Sequence, residues 1–167
     1  IPENLKKKLM EFFLDKLEKY PFLHDKIEFE ILFTCYDFTI NSRIKELKKY
    51  GFTDNEILKI KNCLKEFTNN IIEQFPDILN ECEKSVELLT KNRKLIHKKL
   101  KSNNNHTDLI EGIKKLLEDC KDFGTLPFSK MARISFIGSI LLKTMPKNNK
   151  VLKEFAEKFF FSIDTPI

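Results

Sequence analysis

Apolar residues recur along this chain at steps of three and four, the spacing that lines one face of an α-helix. From Pro2 to about Tyr20, Leu5, Leu9, Phe12, Phe13 and Leu17 share an inner face, and Pro21 ends the helix. A second apolar run, Ile27 to Phe38, has the β-branched and aromatic content of a short strand. Its spacing Ile27–Ile31–Cys35–Phe38 is helical and it has no neighbouring strand candidate to pair with, so a helix is expected. Asn41 to Tyr50 adds a short helix with Ile44 and Leu47 inside, closed by Gly51 where a left-handed residue commonly follows a helix end.

Thr53-Asp54-Asn55-Glu56 is a capping box, in which hydroxyl and carboxylate serve each other's free amides. Behind it run Ile57, Ile60, Leu64, Phe67, Ile71 and Phe75, and after Pro76 the rhythm resumes with Leu79, Cys82, Val86, Leu89, Arg93, Ile96 and Leu100. The residue before a proline disfavours helix. The pattern therefore favours an antiparallel helical hairpin over Thr53–Leu100, turning at Phe75-Pro76-Asp77, above one long kinked helix. Lys101 to His106 is a loop. Thr107 then caps a helix bearing Leu109, Ile110, Ile113, Leu116, Leu117 and Cys120, and Gly124 ends it. Phe128 to Met145 is apolar on nearly every side, which predicts a buried central helix. Within it Ala132, Ser135 and Ser139 form a stripe of small residues; Pro146 stops the helix. A last amphipathic helix, Lys150 to Phe161, carries Val151, Leu152, Phe155, Phe159 and Phe160. The expected fold is all-α. It is one domain, residues 1–167, a bundle of about seven helices around Phe128–Met145 with the long heptad-patterned hairpin beside it.

Composition agrees with that picture. Hydrophobic residues make up 41% and charged residues 33% of the chain, enough for both a core and a solvated surface. Four glycines leave little material for phosphate-cradling loops or for the many turns of a β-fold. Sixteen Phe and no Trp make the aromatic mass apolar, suited to packing. The net charge of +5 comes from mixed signs along most of the chain, the signature of solvated helix surface. Cys35, Cys63, Cys82 and Cys120 lie far apart at apolar positions, so they are expected as reduced core residues. No signal peptide and no long uncharged apolar run is present, which points to a soluble cytoplasmic protein without a membrane span. The start at Ile1 fits processing or excision from a longer polypeptide.

Candidate chemistry is sparse, and no catalytic or metal centre is expected. His24, His97 and His106 occupy unrelated elements. The carboxylates Glu28/Glu30 and Glu111/Glu118/Asp119 lie on amphipathic helices and are expected in solvent. Lys91, Arg93, Lys94, Lys98, Lys99 and Lys101 form a stretch without an acid, which complements the dipole at a helix C-terminus. It also offers a basic surface to RNA or a membrane, though no aromatic is interleaved. The segment Gly124 to Arg133 sets a glycine turn, Thr125 and Ser129 before the most apolar helix, with Lys130 and Arg133 close behind. Free amides, hydroxyls and two cations at a helix start make an anion-site candidate, against the simpler reading of Ser129 as a cap and Arg133 as a paired surface cation.

Phe29-Glu30-Ile31-Leu32-Phe33-Thr34-Cys35-Tyr36-Asp37-Phe38, Tyr50-Gly51-Phe52-Thr53-Asp54-Asn55-Glu56-Ile57 and the Gly124-to-Arg133 segment together resemble a helical region of phosphoenolpyruvate-synthase-like proteins. These are large multidomain phosphotransferases with a PEP/pyruvate-binding, ATP-grasp-type domain. The resemblance spans about Leu23 to Thr165. A glycine-rich nucleotide loop, a phosphorylatable histidine between Thr and Gly, and a PEP-binding barrel are all missing. The resemblance therefore implies a non-catalytic accessory or scaffolding domain, without a cofactor, docking other domains of the same polypeptide or a protein partner. The alternative is a stand-alone helical binding module for a protein, or for nucleic acid through Lys91–Lys101. A third reading, a small enzyme or ligand-binding bundle around Lys130 and Arg133, calls for a closed pocket with converging charges.

Overall fold

The computed structural model describes residues 1–102, 105–145 and 150–162. Asn103, Asn104, the stop at Pro146 and the side chains of Val151, Leu152 and Phe160 lie outside the described residues. Among those described there are six α-helices and no strand: α1 (Glu3–Lys19), α2 (Ile40–Arg43), α3 (Asp54–Ser102), α4 (His106–Asp119), α5 (Leu126–Thr144) and α6 (Lys150–Ser162). The chain forms two compact units, one of residues 1–70 with 136–167 and one of 71–135.

In the first unit, Leu5 and Phe12 of α1 meet Ile44, Leu47, Phe52 and Ile60 in a buried cluster. Phe12 packs edge-on against Tyr50, with centroids 4.7 Å apart, and beside Phe33 at 6.1 Å. Gly51 has φ 75°, the left-handed end that its position suggested. The capping box forms in full: the Thr53 amide donates to Glu56 Oε2 at 2.8 Å and the Glu56 amide to Thr53 Oγ1 at 3.2 Å.

The helix expected over Ile27–Phe38 stops early. A 3₁₀ segment (Pro21–Lys26) and one π turn (Ile27–Ile31) are followed by irregular chain to α2. Side chains supply the bonds that a helix would have made. Asp37 is buried, and its Oδ1 accepts from the Thr39 amide and hydroxyl, both at 2.6 Å. Arg43 Nη1 lies 3.2 Å from Asp37 Oδ2, and its Nη2 donates to the Leu32 carbonyl at 2.8 Å. Thr68 Oγ1 of α3 accepts from the Tyr36 amide at 2.8 Å. The Asn41–Tyr50 helix is likewise shared between α2 and a 3₁₀ segment, Ile44–Tyr50.

The hairpin expected at Pro76 is not formed, because α3 runs unbroken through that proline. Pro76 and Ile72 are both exposed, so water can serve the Ile72 carbonyl that loses its helical donor. The apolar phase also continues across the proline, with Ile71, Ile78, Leu79 and Cys82 all at least half-buried.

In the second unit, α3 instead runs antiparallel to the segment from α4 into α5. A Cβ on Gly112 would lie 2.9 Å from Leu100 Cδ1, and one on Gly124 would lie 3.2 Å from Leu89 Cδ2. Asn92 bonds Asp119, and Lys130 pairs with Glu81. Residue numbers across these pairs sum to nearly the same value, as one antiparallel register requires. Two further expectations are corrected here. Asn105, not Thr107, caps α4, its side chain accepting from the Thr107 amide. Gly124 does not end a helix: the π turn Cys120–Thr125 passes directly into α5, and Gly124 serves close helix approach.

Nor is α5 a buried central helix. Leu126 and Phe128 are 56% and 73% exposed, while Ile137 and Ile140 are buried. Apolar composition on every side makes burial favourable but does not supply neighbours to cover every side.

Candidate functional site

The Gly124–Arg133 segment has a different local geometry from a helix start. The Leu126 amide donates to the Lys121 carbonyl, so the backbone enters α5 already bonded. The Thr125 hydroxyl donates to the Cys120 carbonyl at 3.3 Å. Lys130 Nζ lies 3.6 Å from Glu81 Oε2. Ser129 and Arg133 are exposed side chains of α5.

The basic stretch lies on the C-terminal part of α3. The rise and turn of the helix put Lys91, Lys94, Lys98 and Lys101 in one stripe, spaced three, four and three residues. Arg93 and Lys99 fall on either side of it. All six side chains are exposed.

The histidines stay apart and exposed, with His24 Nδ1 3.3 Å from its neighbour Asp25. Among the described residues, no group of three His, Cys, Asp or Glu converges as a metal site would require. No helix among them is long and apolar enough to cross a membrane. All four cysteines are free thiols. Cys35 and Cys82 are buried as expected, but Cys63 is half-buried and Cys120 exposed. Burial pushes the Cys35 thiol up to about 11, with the Asp37 carboxylate adding to the shift.

Asp119 is a carboxylate that sequence reasoning placed in solvent. It is 1% exposed, with Oδ2 accepting from Asn92 Nδ2 at 3.1 Å. The Lys115 ammonium lies 3.1 Å from Oδ1 yet out of hydrogen-bond alignment, so that oxygen has charge compensation without an aligned donor. The adjacent Asp119 carboxylate holds the Lys115 ammonium above its ordinary range.

Two apolar surfaces stand open. In the first unit, a groove of about 440 Å³ is lined by Leu9, Met10, Phe13, Leu14 and Leu17 of α1 and by Ile27, Ile31 and Leu32, with Lys6 at its edge. Met10 and Leu14 are 56% and 58% exposed. In the second unit, Ile110, Ile113 and Leu117 of α4 face solvent. Both surfaces had a sequence signal. Helix α1 carries seven apolar residues between Leu5 and Leu17, an arc too wide for one buried stripe. On α4, Gly112 is the residue that permits close approach, and it lies away from the apolar stripe.

Comparison of the chain with family models, curated proteins and solved structures gives no match in any of the three. Nothing in these comparisons ties it to phosphoenolpyruvate-synthase-like proteins.

Proposed function

We propose that this chain is a helical protein-binding module whose receptor surface is the groove beside α1, and that its ligand is an amphipathic helix of a partner protein. The observation that carries this reading is the groove's lining, eight apolar side chains and one lysine. Such a surface stabilises a complex by burying Met10 and Leu14, at roughly 25 cal/mol per Å² of apolar area removed from water. From Lys6 to Leu17 the helix rises about 17 Å, or three turns, which suits a ligand of similar length with apolar residues at i, i+3 or i+4, and i+7. The ridge Met10–Leu14–Leu17 leaves the kind of groove into which side chains of a second helix interdigitate. Lys6 favours an acidic residue at the matching end of the ligand. The accessory-domain form of the reading differs only in that the ligand helix is tethered in the same polypeptide. The basic stripe on α3 supports the nucleic-acid alternative less, since no aromatic between Lys91 and Lys101 offers a base a stacking platform.

The test is a display selection of three-turn helical peptides against the whole chain, followed by fluorescence polarisation with the selected peptide. Saturable binding that is lost in Met10→Lys/Leu14→Lys, with helicity by circular dichroism unchanged, is the expected result. A selection that yields no binder, or binding indifferent to that double variant, overturns the proposal.

A further inference from the structure

A second concavity of the first unit, about 440 Å³, lies between residues 41–48 and the first turns of α3. Each side contributes residues at i, i+3, i+4 and i+7, counted from Asn41 and from Asp54, so each gives one helical face to the cleft. Its apolar part is Ile44, which is buried, Ile57, which is half-buried, and Leu58, which is 54% exposed. Lys45 and Lys48, three apart in a 3₁₀ segment, stand one above the other on one side, and Lys61 lines the side formed by α3.

These cations are short of acids. Glu46 pairs with Lys16 and Glu56 with Lys8, both at 3.1 Å, so the nearby carboxylates are committed to α1. Asp54 is the one carboxylate lining the cleft, and it lies 2.7 Å from Lys48. Among the described residues, Lys45 and Lys61 have no ion-pair partner. The sequence accounts for this. Three and four positions from Lys61 stand Ile57, Leu58, Leu64 and Lys65, and from Lys45 stand Asn41, Ser42, Lys48 and Lys49. Lys61 is half-buried as well, so its charge has lost part of its water without gaining a counter-charge.

We propose that this cleft binds a phosphate monoester with a short aliphatic or aromatic body, one molecule per chain. This inference is independent of the groove on α1. Three ammonium groups against one carboxylate leave an excess of two positive charges, and a phosphate monoester carries about −1.5 to −2 at pH 7. Lysines bind phosphate as point charges, whereas a planar carboxylate is matched best by an arginine fork, which the cleft lacks. The first turn of α3 brings the positive end of its helix dipole to the same side. Ile44, Ile57 and Leu58 cover the organic body. The volume falls within the roughly 300–1,000 Å³ of small-molecule sites. Eight lining residues are far fewer than the roughly 20–30 a side of a standard protein interface. Size and charge together select a small dianion over a protein.

The test is a two-dimensional amide NMR titration of the full chain with n-octyl phosphate, run beside inorganic phosphate, octanol and octanoate. Saturable one-to-one shifts at the Ile44, Ile57 and Leu58 amides are expected, with affinity that falls as salt rises. Inorganic phosphate, octanol and octanoate should each bind about tenfold or more weakly than octyl phosphate. Lys45→Met/Lys61→Met should weaken octyl phosphate about tenfold or more. Leu58→Ser should weaken octyl phosphate while leaving inorganic phosphate unchanged. Lys59→Met removes a charge of the same helix outside the cleft and should leave the affinity as it was. None of these side chains is buried, so circular dichroism should match the parent chain. Shifts that do not saturate, or that centre on Met10 and Leu14, overturn the proposal. So does octanol, octanoate or inorganic phosphate binding as tightly as octyl phosphate, or an affinity that Lys59→Met lowers as much as the paired lysine variant does.

Discussion

Asn92 Nδ2 and Asp119 Oδ2 meet at 3.1 Å between two antiparallel helices. Asp119 is buried, so sliding either helix by one turn would leave a carboxylate without its donor. The pair acts as a register pin, flanked by the close approaches of Leu100 to Gly112 and Leu89 to Gly124.

Replacing Asn92 with Leu keeps the volume and removes the donor. A loss of about 1–3 kcal/mol is expected in urea unfolding, the usual cost of orphaning a buried polar atom. A variant as stable as the parent would show that Lys115 alone satisfies Asp119.

Pro76 deprives the α3 backbone of one hydrogen bond while its ring faces solvent. Pro76→Ala should raise the melting temperature, with a gain of up to about 3 kcal/mol. An unchanged or lower Tm would mean that the proline has a structural role that helix geometry does not reveal.

Gly51 has open space where a Cβ would stand, so a side chain there costs backbone energy alone. At φ 75°, Gly51→Ala should lose about 1 kcal/mol, and Gly51→Asn less, because asparagine tolerates the left-handed region better. Equal losses for both variants would argue for a contact, not a torsion, as the cause.

Cys35 and Cys120 should differ in reactivity. At pH 8 iodoacetamide should modify exposed Cys120 first and Cys35 only on unfolding, as read by peptide mass mapping. The Cys35 thiol is raised from 9.0 to about 11, so the folded state holds this proton more tightly than the unfolded chain. Its contribution is complete below pH 9 and is lost as pH rises towards 11, about 2–3 kcal/mol in all. Cys35→Ala should flatten that part of the stability–pH profile; an unaltered slope between pH 9 and 11 would remove Cys35 as its source.

Local signals in the sequence were reliable where the physics is local. The capping box at Thr53–Glu56, the left-handed Gly51 and the inner face of α1 at Leu5 and Phe12 each depend on a few residues in one stretch of chain. The candidate site was less legible. Lys130 found Glu81, forty-nine positions away, and the Gly124 turn proved to be continuous helix. Asp119 looked like one more surface carboxylate until Asn92 was brought against it.

By itself the sequence determined that this protein is helical, because apolar spacing of three and four states the period of the backbone without reference to any partner. Only the tertiary structure decided that α3 passes Pro76 unbroken and takes α4 as its antiparallel neighbour. It also decided that the stripe Ile110–Ile113–Leu117 lies in water and that α5 is half exposed. Periodicity marks which residues share a face. Which face is covered depends on what packs against it, and that is set by contacts between residues far apart in the chain.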